Sequence, residues 1–177
     1  VQFINQNGAT VANNEVAWEL SKATPEAGAT DSEKTYKLSY QVWMHTEADG
    51  FQKDTPYSLG AASLSFKVGE GDPKTVAFPE VAAKGYLGEL NFDKVNEKGQ
   101  ALSGATFQLA SAAKTMTAES AANVAFSSIP SGYTYTLSEA SAPNGYVKTD
   151  KTWTVTVAYG DVTVAGVEDL GNFKVEN

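Results

Sequence analysis

"YTYTLSEASAPNGY", residues 133–146, starts as a β-strand and then breaks its own pattern. Tyr133, Tyr135 and Leu137 alternate with Thr134, Thr136 and Ser138, the period of two that puts successive side chains on opposite faces of a sheet. The next residue on the apolar side is Glu139. A carboxyl group where the core should continue is either out of register or a working group, because burying it without partners is costly. The "APNG" that follows is a turn signal and closes the strand.

The same reversal occurs in two other segments. In "ELNFDKV", residues 89–95, Leu90 and Phe92 share a face, and the next position on that face is Lys94. In "NFKVEN", residues 172–177, Phe173 and Val175 share a face that continues to Asn177. Three apolar stripes therefore end in an acid, an amine and a carboxamide. Between them lie "ATFQLA", "NVAFSSI", "TWTVTVAYG" and "DVTVAG", most of them separated by the turn signals "NEKGQ", "IPSG", "APNG" and "AYGD". Seven short strands in about ninety residues read as an antiparallel sandwich of the immunoglobulin-like class.

The first half alternates too, in "EVAWELS", "TYKLSYQVWM", "ASLSFKV" and "TVAFPEV". It shows about five strands, few for a closed sandwich, which leaves room for strands contributed by sequence outside the chain. "AAKGYLG" has the composition of a linker. The expectation is an all-β chain of two tandem immunoglobulin-like β-sandwiches, over residues 1–87 and 88–177.

Composition narrows the function. The 177 residues are 42% hydrophobic and 19% charged, as in a folded protein, and carry a net charge of −8. All thirteen basic residues are lysine, so nucleic acid is not an expected partner. There is no cysteine, hence no disulfide and no thiolate chemistry. No apolar run approaches the roughly 20 residues of a membrane helix. The chain begins at Val1 inside a strand-like run, without a signal peptide, as expected of a piece of a longer protein whose export and anchoring signals lie elsewhere.

His45, the only histidine, has no cysteine or second histidine to share a zinc ion, and no motif builds a Ser–His–Asp triad around it. "GEGDPK" lacks the strand-to-helix context of a phosphate loop. No cofactor or metal is expected. Trp18 and Trp153 fall on apolar strand faces, whereas Trp43 has the parity opposite to Val42 and Met44 and is the one exposed aromatic candidate.

"FDKVNEKGQALSGATFQL", "YTLSEASAPNGY" and the closing "FKVEN" together resemble the Cna B-type domain of Gram-positive surface adhesins and pilins. The matching positions are Lys94, Gly99, Leu102, Gly104, Ala105 and Phe107, then Tyr135, Leu137, Glu139, Ala142, Pro143, Gly145 and Tyr146. The resemblance implies an intramolecular isopeptide bond, with Lys94 as nucleophile, Asn177 as acyl partner and Glu139 as catalyst. Asn172 is the fallback partner, on the parity opposite to Val175.

Elementary chemistry agrees. An ammonium cannot attack a carbonyl, and burial favours the neutral amine and the neutral acid. The first half is similar to the stalk region that follows the von Willebrand A-type domain in sortase-assembled pilus tip adhesins. There Lys22 or Lys37 is a candidate for a second cross-link with a residue outside the chain. No tyrosine–proline–lysine motif of shaft polymerisation is present.

What the resemblance implies is a structural stalk region of a cell-wall-anchored adhesin or minor pilin, extracellular, and not an enzyme beyond one autocatalytic event. Its partners would be other pilin subunits or the cell wall through sortase linkage outside the chain, and host extracellular matrix or mucus. The alternative is a module that binds host matrix or glycan through the first domain, with Trp43 on its surface.

Overall fold

The computed structural model describes residues 2–4, 8–13, 15–28, 30, 34–121 and 123–177, the first three by backbone alone. The described residues contain sixteen strands, two single-turn 3-10 helices and no α-helix. Chain contacts divide the protein into two units, residues 1–45 with 57–81, and residues 46–56 with 82–177.

Before residue 60 lie β1 (Gln2–Ile4), β2 (Thr10–Ala12), β3 (Glu15–Ala17), β4 (Gln41–Trp43) and β5 (Pro56–Ser58). They are followed by β6 (Ser63–Phe66), β7 (Lys74–Ala77) and β8 (Ala82–Lys84). The ladders within the first unit are antiparallel and two-stranded, β1 with β4, β2 with β3 and β6 with β7. Among the described residues, the long alternation of "TYKLSYQVWM" pairs over residues 41–43.

Among the described residues of this unit Ala9 is the one buried hydrophobic, while Phe66, Val68, Val76, Phe78 and Val81 are exposed. Trp18 rests tilted against Tyr40, ring centroids 6.1 Å apart. Trp43, expected to be the exposed aromatic, is partly buried. It sits in the β1–β4 ladder opposite Gln2.

The second unit is a sandwich. Its strands are β9 (Leu87–Val95), β10 (Thr106–Ala110), β11 (Thr115–Glu119), β12 (Val124–Pro130), β13 (Tyr133–Ser141), β14 (Thr152–Ala158), β15 (Asp161–Val164) and β16 (Lys174–Glu176). One sheet has the order β11-β10-β13-β14-β15 and the other β12-β9-β16. All pairs are antiparallel except β16 with β9, the last strand lying parallel to the first.

The inner faces close over Leu90, Phe92, Phe107, Leu109, Tyr135, Leu137, Val155 and Val175, all buried as their alternation requires. Phe92 meets Phe107 edge-on at 4.9 Å and leans on Phe173 at 5.1 Å. Tyr135, buried with them, donates its hydroxyl to Pro130 O at 2.8 Å, which ties β13 to the turn before it. Burial pushes this phenol up to about 12, with smaller effects from Ser111, Tyr133 and Glu47.

Two sequence expectations change here. β11 was absent from the expected strands, because "KTMTAE" offers only Met116 and Ala118 to the core and is otherwise polar. "AAKGYLG" is not a linker. It contains β8 and the start of β9, and Gly85 and Gly88 are buried. A Cβ on Gly85 would run into the ring of Phe51, and one on Gly88 would lie 2.7 Å from a Val162 methyl and 2.8 Å from a Val157 methyl. Residues 46–56 thus dock against the same unit. There Thr46, also buried, donates from Oγ1 to Ser131 O at 2.9 Å.

Candidate functional site

Lys94 lies at the C-terminal end of β9, where the parity set by Leu90 and Phe92 carries it inward. It is 1% exposed, against 2% for Glu139 on β13. Glu139 belongs to the five-stranded sheet, opposite Phe107 of β10, so it faces the site from the other layer. Asn177 follows β16 directly, and its backbone N–H donates to Val95 O at 3.1 Å, extending the parallel ladder by one residue. The end of β9 is held by the turn after it, where Asn96 Oδ1 accepts from Lys98 N at 3.0 Å and Gln100 N at 2.9 Å.

Side-chain contacts join two of the three groups directly. Asn177 Nδ2 donates to Glu139 Oε1 at 3.0 Å, while Asn177 Oδ1 is buried and without a hydrogen-bond partner. Lys94 Nζ donates to Val175 O at 3.1 Å and to Val95 O at 3.3 Å. The first carbonyl lies on β16 two residues before Asn177, and the second also accepts the Asn177 backbone N–H. Glu139 Oε2 accepts from Thr149 N at 2.8 Å. No side-chain pattern marks this last contact, which a loop brings back ten residues after the glutamate.

Burial pulls the Lys94 amine below its ordinary 10.5, an effect partly offset by the charges of Glu139 and Glu176. Lys94 therefore loses its proton more readily than a surface lysine. An amine inclined to neutrality, a carboxyl group and a carboxamide share one interior region at the end of the sandwich.

The other sequence candidates lie elsewhere. Asn172 sits in the 3-10 turn Leu170–Asn172, exposed, and donates from Nδ2 to Asp169 Oδ2 at 2.7 Å. Lys22 is exposed and pairs with Glu19 at 2.6 Å. Lys37 and His45 are exposed. Trp153, partly buried on β14, packs edge-on against Phe173 at 5.7 Å, a core contact between the two layers.

Residues 88–169 match the SpaA family, described as a prealbumin-like fold domain. No curated protein matches the chain. Among solved structures, the chain is similar to the pilus adhesin RrgA from Streptococcus pneumoniae, at 34% identity over 46% of this chain and 11% of that one, with a TM-score of 0.43. It is also similar to the open conformation of the pilus adhesin SpaC from Lactobacillus rhamnosus GG, at 24% identity over 59% of this chain and 15% of that one, TM-score 0.40. The major pilin subunit BcpA of Bacillus cereus aligns at 20% identity over 72% of this chain and 39% of that one, TM-score 0.40. The chain spans well under half the length of each of these proteins. The match to the prealbumin-like fold domain falls on the half of the chain whose motifs resemble the Cna B-type pilin domain, and it agrees with the β-sandwich built there.

Proposed function

We propose that Lys94 and Asn177 join spontaneously into an intramolecular isopeptide bond, with Glu139 relaying protons, and that the bonded domain is a tension-carrying stalk segment of a surface adhesin or pilin. The observation that carries this reading is the 3.0 Å hydrogen bond between Asn177 Nδ2 and Glu139 Oε1 beside a fully buried lysine.

The chemistry balances without a co-reactant. Lys94 gives up a proton to Glu139, and its neutral Nζ attacks Asn177 Cγ. A half-turn of the carboxamide exchanges Oδ1 and Nδ2, so that protonated Glu139 donates to Oδ1 and polarises the carbonyl. That contact also satisfies the oxygen now buried without a partner. The Nζ–Cγ bond forms, Glu139 gives its proton to the amide nitrogen and takes the second proton from Nζ, the Cγ–Nδ2 bond breaks and ammonia leaves, so that Glu139 ends protonated beside the new amide. An unactivated amide is a poor electrophile, so the rate comes from enforced proximity in a site that excludes water.

The bond would join the first strand of the sandwich to the residue after its last. Tension entering before Lys94 and leaving at Asn177 would bypass residues 95–176. Closing so long a loop removes on the order of 4–5 kcal/mol of unfolded-state entropy, by analogy with a disulfide. Such a bond gives a cysteine-free domain the toughness an extracellular position demands. The pilus subunits, cell wall and host surfaces that would anchor or contact it belong to the same proposal.

Single-molecule pulling tests the mechanical role. The natural chain should extend without releasing residues 95–176, whereas Asn177→Ala should release them as roughly 280 Å of additional contour length. Equal extension of the two chains would overturn it.

A further inference from the structure

We infer that the backbone N–H of Thr149 is a positioning group for the cross-linking reaction, fixing which oxygen of Glu139 carries the relayed proton. The inference rests on the isopeptide reading above and adds a residue to it.

Glu139 has two oxygens with different neighbours. Oε1 faces the Asn177 carboxamide at 3.0 Å, and Oε2 accepts from Thr149 N at 2.8 Å. A backbone N–H can only donate. That N–H occupies one lone pair of Oε2 and makes it the less basic oxygen, so the relayed proton is favoured on Oε1. That is the oxygen in contact with the reacting amide. The same atom then polarises the carbonyl and gives its proton to the leaving nitrogen. A hydrogen bond from an N–H to a carboxylate is among the stronger kind, which also holds the side chain in one rotamer.

The loop that delivers Thr149 is built for a fixed return. Tyr146 N donates to Pro143 O at 3.1 Å, and Gly145 sits at φ 84°, a turn position that a side chain would strain. Beyond the turn, Lys151 N donates to Thr149 Oγ1 at 3.3 Å. Val147, near the middle of the loop, is almost fully exposed, so the segment is not held by apolar burial there.

Thr149→Pro removes the N–H, whereas Thr149→Ala keeps it. The cross-linking rate is read from the mass of samples taken during refolding, with the natural chain alongside. We expect Thr149→Ala to react at close to the natural rate and Thr149→Pro at least about tenfold more slowly. Equal rates for the two variants, with the natural chain cross-linking normally, would overturn the role of Thr149 and leave the isopeptide reading intact. A natural chain that never cross-links would remove the reading itself.

Proline can disturb the loop, so a second measurement uses the non-reacting Lys94→Met chain. There the Thr149 amide should be protected from hydrogen exchange, and Lys94→Met/Glu139→Ala should lose that protection while neighbouring amides of β13 and β14 keep theirs. An unprotected Thr149 amide in Lys94→Met would also overturn the inference.

Discussion

Lys94 and Val175 are direct partners across the parallel β9–β16 ladder, and the lysine amine donates to the carbonyl of that same valine at 3.1 Å. The first and last strands of the sandwich are thereby set side by side, with the amine aimed at the backbone two residues before Asn177. A parallel pair of chain ends cannot be joined by a hairpin. Here it is side-chain chemistry that lies across the gap.

If a covalent bond closes this pair, removing it should be costly. Asn177→Ala, which keeps both Lys94 and Glu139, is expected to lose on the order of 4–5 kcal/mol of stability. For a unit of this size that corresponds to a fall in melting temperature on the order of 20 °C. Scanning calorimetry on the two chains decides the matter, and matching melting temperatures would count against a closed loop.

The buried amine makes the unreacted chain sensitive to pH. In Asn177→Ala, Lys94 stays free and its folded-state pKa lies below the ordinary 10.5. Between the folded value and 10.5 the unfolded chain holds the extra proton, so stability rises with pH through that window and is lowest below it. Lys94→Met/Asn177→Ala should lack this rise, as should the cross-linked chain, whose Nζ is an amide nitrogen. Denaturant titrations across neutral to alkaline pH would show it. A rise of the same size in the doubly substituted chain would assign it to other groups.

Docking of residues 46–56 onto the second unit depends on the absence of a side chain at Gly85. Gly85→Ala should destabilise that unit by roughly 1–3 kcal/mol, because its methyl competes with the Phe51 ring for the same space. In a Phe51→Ala background the same change should cost much less. Urea unfolding of the four chains measures the coupling, and additive effects would show that the two residues do not share the space.

The legible part of this architecture was the part in which each strand is buried on one face and wet on the other. Alternation along β9 and β13 puts Lys94 and Glu139 on inward-facing positions, where both are buried, and along β16 it runs on to a half-buried Asn177, since a period of two leaves no freedom once Leu90, Leu137 and Val175 are fixed. β11 was illegible because an edge strand can pack with only Met116 and Ala118 as its apolar residues. The burial of Gly85 and Gly88 was hidden in a composition shared by linkers and by tight packing, which only the opposing side chains distinguish. Thr149 could not be foreseen, because it acts through its backbone, and a backbone N–H has no residue signature. In the first unit, alternation over residues 35–44 exceeds the ladder formed among the described residues, since strand pairing needs a neighbour that the residues themselves do not specify.

Convergence of an amine, an acid and a carboxamide at the buried end of the sandwich is the physical cause on which the whole account depends. Intact mass of the purified natural chain tests it most directly. It should fall short of the sequence mass by one ammonia, and Glu139→Ala should restore the full value. A natural chain at its full sequence mass would contradict the account.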